Sequence, residues 1–130
     1  MEPDHIPTAT PPPDEQHWLR LLSGVAVGRV VYTVGALPAV LPIRYRLGGD
    51  GSVLLRAAAR SELVRAVSGA LVAFEAGQVD ERDGTGWSVT VLGRADVSAD
   101  PAATGQTTGQ VSIRIRPELV TGRLLPDTRA

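Results

Sequence analysis

Hydrophobic and polar positions change period along the chain. Between Asp14 and Ser23 the apolar residues Trp18, Leu19, Leu21 and Leu22 form one stripe at helical spacing, with Asp14 placed to cap its start and Gly24 to end it. From Val27 the period becomes two. VGRVVYT reads as a strand, Gly35 marks a turn, and LPAVLPIRYRL (37–47) reads as a second strand. One face of that strand carries Leu37, Ala39, Leu41, Ile43, Tyr45 and Leu47, which are expected in the core. The other carries Pro38, Val40, Pro42, Arg44 and Arg46, and the prolines keep this strand from regular pairing on both sides. GGDG predicts a hairpin into SVLLRAA, where Val53, Leu55 and Ala57 oppose Leu54 and Arg56. Such a hairpin brings Arg44 or Arg46 near Arg56 on the outward face.

Ser61 then caps a predicted helix, SELVRAVSG, in which Leu63, Val64 and Val67 pack and Gly69 terminates. LVAFEAGQVD and GWSVTVLGRADVS are strands joined by the polar turn DERDGTG. In the second of them Val89, Val91, Ala95 and Val97 face one side, and Ser88, Thr90, Arg94 and Asp96 the other. Residues 99–110 are small and polar and read as a loop; VSIRIR is the last clear strand, before PELVTGRLL. Strands joined by tight turns predict a mainly β fold with short helices, an antiparallel sheet closing into a barrel. Proline-rich residues 1–13 are expected to form a disordered arm, 14–125 the domain and 126–130 a tail.

Composition narrows the chemistry. A chain of 130 residues suits one domain, and with 4% aromatic residues its core must be built from Val, Leu, Ile and Ala. The net charge of -1 lacks the footprint of a nucleic-acid binder. There is no cysteine, and the only histidines are His5 and His17, so disulfides, thiolate sites and a multi-histidine metal centre are not expected. No run approaches a membrane span and no signal pattern opens the chain, so a cytoplasmic protein is expected. All 13 cationic side chains are arginines, which excludes a Schiff-base or Walker-type lysine.

Serines lack a nucleophile-elbow context, and the acids Asp80, Glu81 and Asp83 sit in a turn, so no catalytic residue is assigned. Glu75, the one acid inside an apolar strand, faces solvent or pairs with an arginine. What remains is a cationic outward face beside the helix start at Ser61. Amides at a helix start and a guanidinium fork both suit a phosphate; solvated surface arginines are the alternative reading.

The ordered series VGRVVYT, LPAVLPIRY, VLLRAAARSEL, LVAFEA, GWSVTVLGRADV and IRIRPELVTGR resembles the pyridoxamine 5'-phosphate oxidase-like flavin-binding proteins, the small actinobacterial type, over residues 14–125. The resemblance implies a homodimeric antiparallel split β-barrel with flavin mononucleotide (FMN), or a deazaflavin coenzyme in some relatives, at the dimer interface. It places Leu41, Pro42, Ile43 and Arg44 along the isoalloxazine ring. It puts Arg56, Ala57 and Ser61, with Arg60 nearby, at the phosphate, and Ser88, Trp87 and Arg123 near the ring. The implied activity is hydride transfer between the flavin and a small organic substrate, with no nucleic-acid or membrane partner. A deazaflavin-dependent reductase and a non-catalytic cofactor-sequestering module are the alternatives. Two departures bear on binding: Glu62 stands where relatives carry Lys or Arg, and ADPAATGQTTGQ replaces a longer, partly helical excursion.

Overall fold

The computed structural model describes residues 13–100, 103, 105 and 108–126. The expected arm, apart from Pro13, and the tail beyond Pro126 lie outside these residues. Helix α1 (Pro13–Ser23) begins one residue ahead of the proposed cap, so Asp14 sits in its first turn and favours the helix through the dipole instead. Leu19 and Leu22 are buried, and Trp18 lies flat against Gly122, where any Cβ would enter the indole ring.

Every strand pair is antiparallel. β1 (Val27–Val34), β2 (Leu37–Arg44), β3 (Arg46–Leu47), β4 (Val53–Ala58), β5 (Leu71–Val79), β6 (Gly86–Ala99) and β7 (Gln110–Leu125) form one sheet in the order β2-β1-β5-β6-β7-β4-β3. Helix α2 (Glu62–Val67) bridges β4 and β5. The two end strands of the sheet are consecutive in the chain, divided only at Tyr45. The expected single strand 37–47 is therefore two: its first part pairs with β1 and its last two residues with β4. This curls the sheet into a barrel that is closed at Tyr45 and split beyond it, where β2 diverges from β4.

Tyr45 holds that corner. Its amide donates to Ala26 O at 3.1 Å, its hydroxyl donates to the buried Leu22 O at 2.5 Å, and its ring meets Phe74 edge-on at 4.6 Å. Phe74 is fully buried with Leu55, Ile113, Ile115, Val89 and Val91 around the barrel axis; truncating such a phenyl ring costs about 3–5 kcal/mol. The expected core face of β2 is corrected by the structure. Leu37 and Leu41 are 72% and 36% exposed, because an edge strand that leaves the barrel has nothing inside to cover it. The segment PELVTGRLL also proves to be strand, continuous with VSIRIR. A bulge absorbs its Pro117–Glu118 pair opposite Gly93, whose missing Cβ leaves room for the Arg116 carbonyl.

Candidate functional site

The split is where chemistry-bearing side chains gather. Hydrogen bonding alternates along an antiparallel strand, and Tyr45 bonds toward β1 through Ala26. By that alternation residues 39, 41 and 43 also bond toward β1, and residues 38, 40, 42 and 44 turn their backbone groups to the open edge. That edge offers amides from Val40 and Arg44 and carbonyls from Pro38, Val40 and Pro42, while the prolines withhold donors a further strand would need. At its foot lies a cleft of about 390 Å³ lined by Ile43, Arg44, Tyr45, Arg46, Leu54 and Arg56. The expected approach of Arg44 or Arg46 to Arg56 is met by both, which line this cleft with it.

The phosphate candidates are partly engaged with the chain itself. Ser61 caps α2 as expected: its hydroxyl accepts from the Val64 amide at 3.2 Å and its own amide donates to Ala58 O at 3.0 Å. Arg60 is exposed, and its carbonyl accepts from Arg65 Nη1 at 2.5 Å. Ala57 lies on the opposite face of β4 from Arg56, and its backbone, in the same alternation as the Ala59 amide that donates to Gly109 O, bonds toward Val111 of β7, so neither its side chain nor its backbone is turned to a ligand beside Arg56. Arg56 itself pairs with Asp100, its Nε 3.0 Å from Oδ2. Asp100, the only acid in the 99–110 loop, gave no sign of this role in the sequence, since nothing local links it to a strand 44 positions earlier. Glu62 is exposed and points no carboxylate contact at Arg56.

A second cluster lies on the outward face of β1, β5 and β6. Glu75 pairs with Arg29 across strands, confirming an acid satisfied by arginine, and its other oxygen accepts from Ser88 Oγ at 2.8 Å. Arg123 stands directly opposite Ser88. Trp87, by alternation, points the other way and packs partly against the core. Ser88 and Ser98, the latter in the row of Arg56, are ten residues apart on β6, about 30 Å at strand rise. One chain therefore cannot bring the Ser88–Arg123 cluster and the Arg56 cluster to the same FMN.

Between these clusters one row of the outward face is apolar. Register aligns Val40, Val31, Ala73, Leu92 and Leu119 in one row across β2, β1, β5, β6 and β7. Val40 and Leu119, at its two ends, are 58% and 52% exposed. The row was not visible in the sequence because it depends on the register of five strands. Among the described residues no cluster of His, Cys, Asp and Glu could hold a metal ion, and no helix is long and apolar enough to cross a membrane.

An antiparallel sheet curled around a corner residue, with a split edge beside arginines, defines a split β-barrel. Comparison with known proteins agrees. The model of the pyridoxamine 5'-phosphate oxidase family matches residues 14–129, and the chain belongs to that family. An uncharacterised protein of Mycobacterium tuberculosis is 36% identical over 132 residues, covering 89% of this chain and 86% of its own length. The structure of the FAD-binding protein from Mycobacterium smegmatis is 34% identical and superposes with a TM-score of 0.70, over 85% of this chain and 93% of that one. A FAD-binding protein from Mesorhizobium loti, 18% identical, shares the fold with a TM-score of 0.69 over 84% of this chain and 91% of its own.

Proposed function

We propose that the protein is a homodimeric flavoprotein that holds a flavin in the split beside β2 and exchanges hydride with a small organic substrate. The observation that carries this is the open edge of β2 running into the arginine-lined cleft. Its alternating amides and carbonyls match the alternating acceptors and donors on the rim of an isoalloxazine ring. Pro42 and Arg44 turn their backbone to that edge, the side chains of Leu41 and Ile43 flank it, and Arg56, with the Arg60–Ser61 turn, takes the first phosphate. The Ser88–Arg123 cluster, with Trp87 behind it, then belongs to the partner's half of the site, which is why a single copy leaves it so distant. The apolar row of the outward face is the surface that two copies share.

The donor set fits a flavin. A guanidinium binds phosphate through a forked pair of hydrogen bonds, and apolar side chains at positions 41 and 43 shield one side of a ring. When bound, the flavin supplies the hydride chemistry. The chain's own part is to orient the ring by backbone hydrogen bonds, exclude water with Leu41 and Ile43, and offset phosphate charge with Arg56. FMN and FAD share the ring, the ribityl chain and the first phosphate, so this part of the site serves either. The 34% identical FAD-binding relative supports the flavin class. A cytoplasmic location suits such a redox protein.

A titration tests the reading. Absorbance and fluorescence of FMN, FAD and a deazaflavin are followed as purified protein is added. At least one is expected to bind at micromolar concentration, and Arg56→Ala is expected to weaken it by about 1.5–3 kcal/mol, the worth of a charge-assisted hydrogen bond. Absence of any spectral change with all three compounds excludes the flavoprotein reading. Binding unchanged in Arg56→Ala removes that residue from the phosphate seat. The sequestering alternative, favoured by the carboxylate of Asp100 on Arg56, predicts binding without reduction of the bound flavin by any reductant substrate.

A further inference from the structure

Beside the flavin edge the cleft continues onto a wall that the first phosphate does not use. Outward residues of β3, β4, β7 and β6 form two rows, Arg46–Leu54–Arg114–Asp96 and Arg56–Ser112–Ser98. Diagonal neighbours on antiparallel strands stand about 7–8 Å apart, and both Arg46 and Arg114 are diagonal to Arg56. Together with Ser98, Ser112 and Asp100 they enclose a cleft of about 440 Å³. That cleft shares Arg46, Leu54 and Arg56 with the one at the foot of β2.

This cleft already holds an anion, supplied by the chain. The Asp100 side chain is only 5% exposed and its carboxylate sits on Arg56, whereas Arg56 remains 50% exposed and keeps N–H groups to spare. Arg114 is 43% exposed and pairs with Asp50 at 3.2 Å. Among the described residues Arg44 and Arg46 have no carboxylate partner. Asp96, opposite Arg114 at the end of the row, is taken by Arg116 at 2.9 Å. Arg44, Arg46, Arg56, Arg114 and Arg116 thus face three carboxylates, Asp50, Asp96 and Asp100, an excess of positive charge that an external anion relieves. Arg46 and Arg114 stand on the row beside that of Arg56 and Ser112, on strands either side of β4, so a phosphoryl group seated on Arg56 and Ser112 leaves their forks for a second one.

We infer that the cleft is a pyrophosphate seat: Arg56 and Ser112 hold one phosphoryl group, and Arg46 and Arg114, flanking Leu54, hold the other. The ligand class is a dinucleotide with two adjacent phosphates, and Asp100 is the internal carboxylate it displaces. This rests on the flavin reading for where the rest of the ligand lies, and on the arginine geometry for the seat itself. Arg46 and Arg114 are then the residues that select a dinucleotide over FMN.

Calorimetry with inorganic pyrophosphate and inorganic phosphate on the full chain, at fixed ionic strength, reads the seat without a flavin. Pyrophosphate is expected to bind at least about tenfold more tightly than phosphate, the effect of one added charge-assisted contact pair. Arg46→Gln and Arg114→Gln each remove that preference and leave phosphate affinity within about twofold, and Asp100→Asn tightens both anions. Equal affinity for the two anions in the unaltered protein overturns the inference. So does a preference that survives in both arginine variants, or failure of either anion to bind. Parallel titrations with FAD and FMN separate the two readings. Pyrophosphate preference without flavin binding keeps the seat and removes the flavoprotein, and equal FAD and FMN binding without that preference does the reverse.

Discussion

Leu119→Arg tests whether the apolar row is the surface that two copies share. Val40 and Leu119 are 58% and 52% exposed at the ends of a row that is apolar throughout. Full burial of a Val or Leu side chain is worth about 1.5–3 kcal/mol, so covering the exposed half of each contributes about 1 kcal/mol. A two-fold interface presents every contact twice, so these two positions supply roughly 4 kcal/mol to a dimer. Leu119→Arg removes about half of that and leaves two guanidiniums desolvated, at roughly 1–3 kcal/mol each. Arginine is chosen over aspartate because Arg94 and Arg116, on the adjoining row, would pair with a new carboxylate. The summed loss, roughly 4–8 kcal/mol, weakens association by about a thousandfold or more. Since Leu119 is already half exposed in one chain, the fold itself should keep its stability to within about 0.5 kcal/mol. Sedimentation equilibrium at micromolar concentration is expected to show a dimer for the unaltered protein and a monomer for the variant. Flavin affinity should fall with it, because half of the site is lost. A variant that melts normally and dimerises as before excludes this face as the interface.

Three further outcomes follow from the packing and the charges. Burial pushes the Tyr45 phenol up to about 12, from 10.0 in the unfolded chain. Stability from this group is therefore complete below pH 10 and lost as pH rises through about 12, by roughly 3 kcal/mol in all. Tyr45→Phe removes one of the two donors to the Leu22 carbonyl, which keeps the Val25 amide at 3.2 Å, costs about 1 kcal/mol at neutral pH, and flattens the alkaline loss; urea midpoints with the same pH slope in both proteins would refute the assignment. Gly122→Ala forces the Trp18 ring off β7 and is expected to cost about 1–3 kcal/mol, with a red shift in tryptophan emission; an unchanged spectrum and melting point would show that α1 docks elsewhere. Glu62→Lys is expected to tighten flavin binding by no more than about fivefold, since an exposed charge is screened, and weaker binding would place Glu62 in the site itself.

How far these features could be read from residue order depends on the range of the cause. Alternation placed Arg44, Arg46 and Arg56 on one outward face, because side chains in strands reverse with every residue and GGDG sets the hairpin. Ser61 was legible as a cap for the same local reason. The break at Tyr45 was not, because LPAVLPIRYRL keeps an unbroken period of two across it. What divides the strand is the burial of Tyr45 against Phe74 and Leu22, contacts between elements. Pro117 read as the end of a strand, yet a bulge opposite Gly93 carries the ladder past it. Family resemblance supplied the fold and the candidate site residues where local pattern supplied only strands.

The structure also changes which acid governs the phosphate end. By position Glu62 is the obvious departure, standing where a cation would assist binding. Its side chain is exposed, where water and salt reduce its effect on an anion several ångströms away. Asp100 is the opposite case: its carboxylate is 5% exposed and lies 3.0 Å from Arg56. On the proposed reading a ligand phosphate must break that pair, and separating a buried charge from a partner is expensive. The same contact keeps Arg56 extended along the cleft when no ligand is bound. On that reading Asp100 both preforms the seat and competes for it, and Asp100→Asn is expected to raise flavin affinity more than Glu62→Lys does.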